Sequence, residues 1–176
     1  MPTKTEILSS IAKELRIITH LTRQLQPQHL AFRFTPAQRS TQELLEYLAI
    51  TSEAAVTWLL NGKQDGWWEQ RLAAVRGLAL DAFPAVFAAQ QQAVERLLAP
   101  IDEAAFATRR VRNGQGVELL LSEALFEGIV KQLVGYKTQL FLQAKAAGVV
   151  GLGSADLWRG EKPAVPATIP ATAQAR

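Results

Sequence analysis

The sequence has no cysteine and only two histidines, His20 and His29, among 176 residues. The lack of cysteine excludes a disulfide framework, thiolate chemistry and any cysteine-based zinc site. The shortage of imidazole argues against a histidine-rich metal centre. Long apolar runs are missing too: each is broken by a charge or an amide well short of the ~18 residues that a membrane span needs. The N-terminus, with Lys4 and Glu6, lacks the apolar core and small-residue cleavage site of a signal peptide. The expectation is a soluble, cytoplasmic protein. Neither sign of charge dominates, with 19 Lys and Arg against 16 Asp and Glu and a formal net charge of +3. The pI of 9.4 therefore reflects no strong basic footprint for nucleic acid. No nucleophile elbow, Walker sequence or His pair at i, i+4 occurs.

What remains is a helix-forming, globular composition: 48% hydrophobic, 20% charged, with a mean hydropathy of +0.03. Ala, Leu, Gln and Glu are abundant, and these are good helix formers. No stretch alternates apolar and polar residues with period two, so no strand is expected.

Apolar residues at steps of three and four predict four long helices, separated by clusters of glycine and proline. The first spans Thr5 to Gln26, with Ile7, Ile11, Leu15, Ile18, Thr22 and Leu25 as its stripe and Pro27 as its stop. His20 falls opposite that stripe and reads as a solvated side chain; His29 falls in the loop that follows. Ser40-Thr41-Gln42-Glu43 is a capping box for the second helix. That helix carries Leu44, Leu45, Leu48, Ser52, Ala55 and Leu59, and stops at Asn61-Gly62. A turn and the adjacent Trp67 and Trp68 follow, with a short helix expected within 67–76. The third helix runs from about Asp81, a candidate cap, through Pro84 in its first turn to Leu98. Its stripe is Val86, Phe87, Val94, Leu97 and Leu98. The fourth runs from about Val117 to Ala147 and stops at Gly148. Leu119, Phe126, Ile129, Val130, Leu133, Leu140 and Ala144 are its stripe. The expected fold is all-α, an up-down four-helix bundle over residues 1–160. A Pro/Ala-rich extended tail follows over 161–176, and Trp158 is the last residue expected to be anchored.

Most charged and polar residues have plain readings. The dispersed carboxylates suit solvated helix faces and i,i+4 pairing. Arg109, Arg110 and Arg112 beside Asn113-Gly114 read as a solvated loop. Gly148, Gly151 and Gly153 follow a helix instead of a strand and so read as a helix stop, not a dinucleotide loop. One group is less plain. Gln132, Tyr136, Gln139 and Gln143 recur at steps of four, three and four on the flank of the fourth helix. Tyr47, Thr51 and Trp58 share a flank of the second. Facing one another, they would line a cleft of phenols and amides. Each such group left without a partner would cost ~1–3 kcal/mol. The set is expected either to satisfy itself or to bind a small-molecule ligand, with Tyr47, Gln132, Tyr136 and Gln139 as the candidate binding residues.

Two segments resemble the DinB/YfiT-like superfamily of four-helix proteins. Arg39-Ser40-Thr41-Gln42-Glu43-Leu44-Leu45-Glu46-Tyr47-Leu48-Ala49 is similar to the family's Trp-Ser-x-x-Glu-x-Leu-x-His-Leu-Ala pattern. Gln132 through Tyr136-Lys137-Thr138-Gln139-Leu140 to Gly148 is similar to its His-x-x-x-His-Arg-Gly-Gln-Leu segment and closing glycine. The resemblance covers about residues 5–150. It implies a bundle, often a homodimer, with three metal-binding histidines. Those positions fall on Tyr47, Gln132 and Tyr136, none of which is histidine. Neutral phenols and an amide are poor donors for a divalent transition metal, since a tyrosine must first lose a proton of pKa ~10. The expectation is accordingly a DinB-like protein without a metal or other cofactor, serving as a small-ligand-binding or interaction module. The alternative is a DinB-type transferase or hydrolase, metal-free or with a divergent site using His20 or His29. No membrane or nucleic-acid partner is expected.

Overall fold

The computed structural model describes residues 2–63 and 65–162. The expected tail lies outside the described residues from position 163 onward. Helices dominate the chain. Helix α1 (Lys4–Thr22) opens on Thr3 in a capping box with Glu6, and helix α2 (Thr41–Asn61) opens on Ser40 in a capping box with Glu43. Each box satisfies backbone N–H groups that a helix start leaves bare. Gly62, at φ +79°, ends α2 in a conformation that favours glycine. Helix α3 is Trp67–Val75 and helix α4 is Phe83–Leu98. Asp81 does not cap α4: it lies in a 3-10 turn, Leu80–Ala82, that leads into the helix.

The region after Pro100 departs from the sequence reading. A short helix α5 (Glu103–Thr108) is capped by Asp102, whose Oδ1 accepts from the Ala105 N–H at 2.7 Å. Strands β1 (Arg110–Arg112) and β2 (Glu118–Leu120) then form an antiparallel pair with Val111 opposite Leu119. The expectation of no strand is corrected here: the Arg109–Arg112 segment is largely a strand, although its three arginines are exposed as expected. The hairpin is too short to show a period, yet Val111 is buried between two exposed arginines. Asn113 Oδ1 accepts from the N–H groups of Gln115 and Val117, both at 3.0 Å, which closes the turn. The helix expected from Val117 therefore begins only at Leu121.

That last long helix has three parts: α6 (Leu121–Leu125), a π-helical turn (Phe126–Val130) and α7 (Lys131–Ala146). The wider turn adds a residue and rotates the face it presents. Phe126, expected in the core stripe, is 38% exposed as a result. The helix ends in a Schellman arrangement: the Gly148 N–H donates to Lys145, the Val149 N–H to Ala144, and Gly148 takes φ +100°.

Helices α1 and α2 both pack against α4 and α7. Between them lies a core built from Ile11, Leu15, Leu48, Phe87, Leu133 and Leu140 with their neighbours. Phe83 and Phe87 stack with centroids 6.0 Å apart. Two polar insertions interrupt this apolar contact. Gln90 of α4 enters the backbone ladder of α2: its Oε1 accepts from the Ser52 N–H at 2.8 Å and its Nε2 donates to the Leu48 carbonyl at 2.9 Å. Lys137 of α7 pairs with Glu14 of α1 at 2.6 Å, with the lysine side chain 1% exposed.

A final helix, α8 (Ser154–Arg159), folds back over α1. It corrects the reading of His20, whose Nε2 lies 2.8 Å from Asp156 Oδ1. Periodicity within α1 registers only the stripe facing the core; α8 arrives from 136 positions away to cover another side. Burial alone would raise the Asp156 carboxyl, but the Gly153 N–H and His20 outweigh it and hold the group below its ordinary value. Ala155 and Asp156 anchor α8, whereas Trp158 is 56% exposed and meets the Lys137 ammonium through its ring. His29 is buried, its Nδ1 accepting from the Gln26 N–H at 2.9 Å. Among the described residues no single helix is long and apolar enough to cross a membrane; α3 and the stretch through α4 reach that composition only together, across a 116° bend.

Candidate functional site

Tyr47 sits in the second turn of α2, and Gln132 and Tyr136 lie one turn apart at the start of α7. The packing of α2 on α7 brings all three together. Gln132 Nε2 donates to Tyr47 Oη at 2.6 Å, and Gln132 Oε1 accepts from Thr51 Oγ1 at 3.2 Å. The Tyr47 and Tyr136 rings are tilted against each other with centroids 4.9 Å apart. On its other side Tyr47 meets Trp68 at 5.5 Å, and Trp68 meets Trp58 at 5.8 Å. The result is a continuous aromatic wall between α2, α3 and α7, capped by the Arg39 guanidinium 4.2 Å above the Tyr47 ring.

The wall separates two clefts. One, of about 360 Å³, is lined by Tyr47, Thr51, Trp58, Trp68 and Gln132, with Lys63 and Glu69 at its rim. The other, of about 480 Å³, lies on the Arg39 side. Trp58 carries a buried indole N–H that has no partner among the described residues. Gln139 is half-buried on α7 and lines neither cleft. Gln143 is fully buried and is used structurally, its Nε2 donating to the Arg39 carbonyl at 2.9 Å. Trp68 and Arg39 were not among the candidates. The paired Trp67-Trp68 was the available signal: two adjacent aromatics at the start of a short helix cannot both face the same core.

Burial pushes the Tyr47 phenol above its ordinary value of 10.0; Thr51 opposes this, Tyr136 adds to it and Arg39 opposes it. The phenol is therefore a neutral hydrogen-bonding group at any ordinary pH. Because folding raises this pKa, the folded state holds its proton longer. The stability linked to Tyr47 is complete below pH 10.0 and is lost as pH rises from there through the folded value. With only two tyrosines in the chain, an ultraviolet titration resolves them. One phenol should ionise late, and Tyr136→Phe should leave that late step in place. In the folded Tyr136→Phe variant, ionisation of the remaining Tyr47 phenol near its ordinary value would contradict the burial.

The DinB-type metal does not fit these residues. One amide and two phenols, one of them held protonated, offer no imidazole, thiolate or carboxylate, and Gln132 already uses both ends of its amide on Thr51 and Tyr47. Among the described residues no three His, Cys, Asp or Glu side chains are grouped to hold a metal ion. His20 has one carboxylate neighbour, and His29 is committed to a backbone N–H. No protein-family model matches the chain, and no curated protein matches it.

Proposed function

We propose that this protein is a DinB-like four-helix bundle that binds a small ligand without a metal, in the cleft between Tyr47, Trp58 and Gln132. One observation carries the reading. Among the described residues the Trp58 indole N–H is buried without a partner, and Trp58 lines the cleft. A buried donor left bare costs about 1–3 kcal/mol, and a ligand acceptor recovers it. Trp58, Trp68 and Tyr47 supply flat apolar surface around it, which suits a small aromatic or unsaturated molecule bearing a carbonyl. The assembly proposed with it is a homodimer, checked by light scattering.

Acetophenone, an aromatic ketone, is the probe. At saturating concentration it should raise the thermal midpoint, since about 100-fold excess over Kd stabilises by about 2.7 kcal/mol. Trp58→Phe keeps the ring, removes the N–H and should cut the rise by about half or more, as the loss of about 1–3 kcal/mol requires. An equal rise in that variant sinks the carbonyl reading. Stoichiometric Zn²⁺, Ni²⁺ or Mn²⁺ retained through dialysis, and lost on Gln132→Ala or Tyr136→Phe, would sink the metal-free reading.

A further inference from the structure

The second cleft, on the far side of the Tyr47–Trp68 wall, has a different chemistry. Arg33, Arg39 and Arg76 converge on it, together with Glu43 and Glu46. Both carboxylates are already engaged. Glu43 accepts from the Ser40 N–H at 2.7 Å and pairs with Arg33 at 3.2 Å. Glu46 accepts from the Gly77 N–H at 2.7 Å and from Gln42 Nε2 at 2.9 Å. Among the described residues, Arg39 and Arg76 form no ion pair, and neither guanidinium donates a hydrogen bond. Two uncommitted guanidiniums therefore face one concave space of about 480 Å³. A cleft with low-dielectric walls concentrates their field.

Arg39 is also held in place before any ligand arrives. Its carbonyl is fixed by the buried Gln143 amide, and its guanidinium face rests on Tyr47 at 4.2 Å. Stacking occupies the face of the guanidinium and leaves its N–H edges free. Those edges match the two oxygens of a carboxylate or phosphate. A pre-placed arginine loses little side-chain entropy on binding. Trp68 and Leu72 line the same cleft and offer an apolar surface for the body of the ligand.

We propose that this cleft is a second, separate site, which binds a small organic anion: a carboxylate or phosphate head between Arg39 and Arg76, on a flat apolar body against Trp68 and Leu72. The site does not depend on the Trp58 cleft, although the two share a wall.

The test titrates the full chain with phenyl phosphate and with benzoate, followed by tryptophan fluorescence, with benzyl alcohol as the uncharged match. Saturable binding of at least one anion is expected, weakening as salt is added, and the two arms distinguish a phosphate from a carboxylate head. Arg39→Gln and Arg76→Gln should each weaken it about tenfold, the loss of one charge-assisted hydrogen bond. Arg39→Lys, which keeps the charge and removes the fork, should fall between. Lys13→Gln, at an exposed position on α1 that lines neither cleft, should leave anion affinity unchanged. Three outcomes overturn the site: benzyl alcohol binding as tightly as benzoate, unchanged affinity in both arginine-to-glutamine variants, or no saturable binding of either anion. Acetophenone binding that Trp58→Phe weakens, alongside any of these, overturns the anion site alone and leaves the ketone cleft standing.

Discussion

Lys137→Met is expected to cost about 3–5 kcal/mol of stability, because it removes one partner from a buried ion pair and strands the other. The Lys137 ammonium meets the Glu14 carboxylate at 2.6 Å, with side chains 1% and 10% exposed. Trp158 of α8 closes the pair from outside, its ring 5.1 Å from the ammonium. Methionine has similar length and packs well, so little of the loss comes from volume. The loss comes from Glu14, whose carboxylate is left without its partner inside the core. For a chain of this size the thermal midpoint should fall by about 10 °C. The double variant Lys137→Met, Glu14→Leu should recover most of the loss, since replacing both partners of a buried pair with apolar groups is often neutral or stabilising. A loss under about 1 kcal/mol in the single variant would mean that the pair behaves like a solvent-exposed one, and the packing of α1 on α7 would need another explanation.

The second large effect is expected at Gln90. Its carboxamide bridges two groups of the α2 ladder, donating to the Leu48 carbonyl and accepting from the Ser52 N–H. Gln90→Leu keeps the shape and removes both polar partners. Each backbone group left bare inside the protein costs about 1–3 kcal/mol, so denaturant unfolding should report a loss of several kcal/mol. Hydrogen exchange at the Ser52 amide should accelerate with it. Wild-type stability with full protection at Ser52 would show that α2 closes its own ladder, and that Gln90 is not what holds α4 to it.

These two sites mark where reading the sequence stopped short. Lys137 and Glu14 each stand in phase with an apolar stripe: Glu14 three residues after Ile11 and four before Ile18, Lys137 four after Leu133 and three before Leu140. Charges in a core register are a readable signal for a buried pair, but the pairing partner is not readable from either helix alone. Gln90 had no signal, because an amide near the middle of an Ala/Gln-rich helix looks solvated. The Tyr47, Gln132 and Tyr136 cluster was legible for a different reason. The flank positions on two helices matched, and the family resemblance aligned them. Gln139 shared that flank by spacing, yet it lines neither cleft, since the wall is completed by α3, an element whose placement no periodicity conveys.

Local chemistry sufficed for the helical character of the chain, the capping boxes at Thr3 and Ser40, the stops at Gly62 and Gly148, and the faces that α1, α2 and α7 bury. Each depends on residues within a turn or two of one another, so spacing and propensity carry the information. What sits on those faces from elsewhere in the chain was settled by packing. The α8 helix that captures His20, the Trp68 wall that splits the cleft in two, the Arg39 and Arg76 side chains that line one cleft, and the Glu14–Lys137 pair all join residues distant in sequence. Their energies come from desolvation and complementary geometry, which exist only once the helices have met.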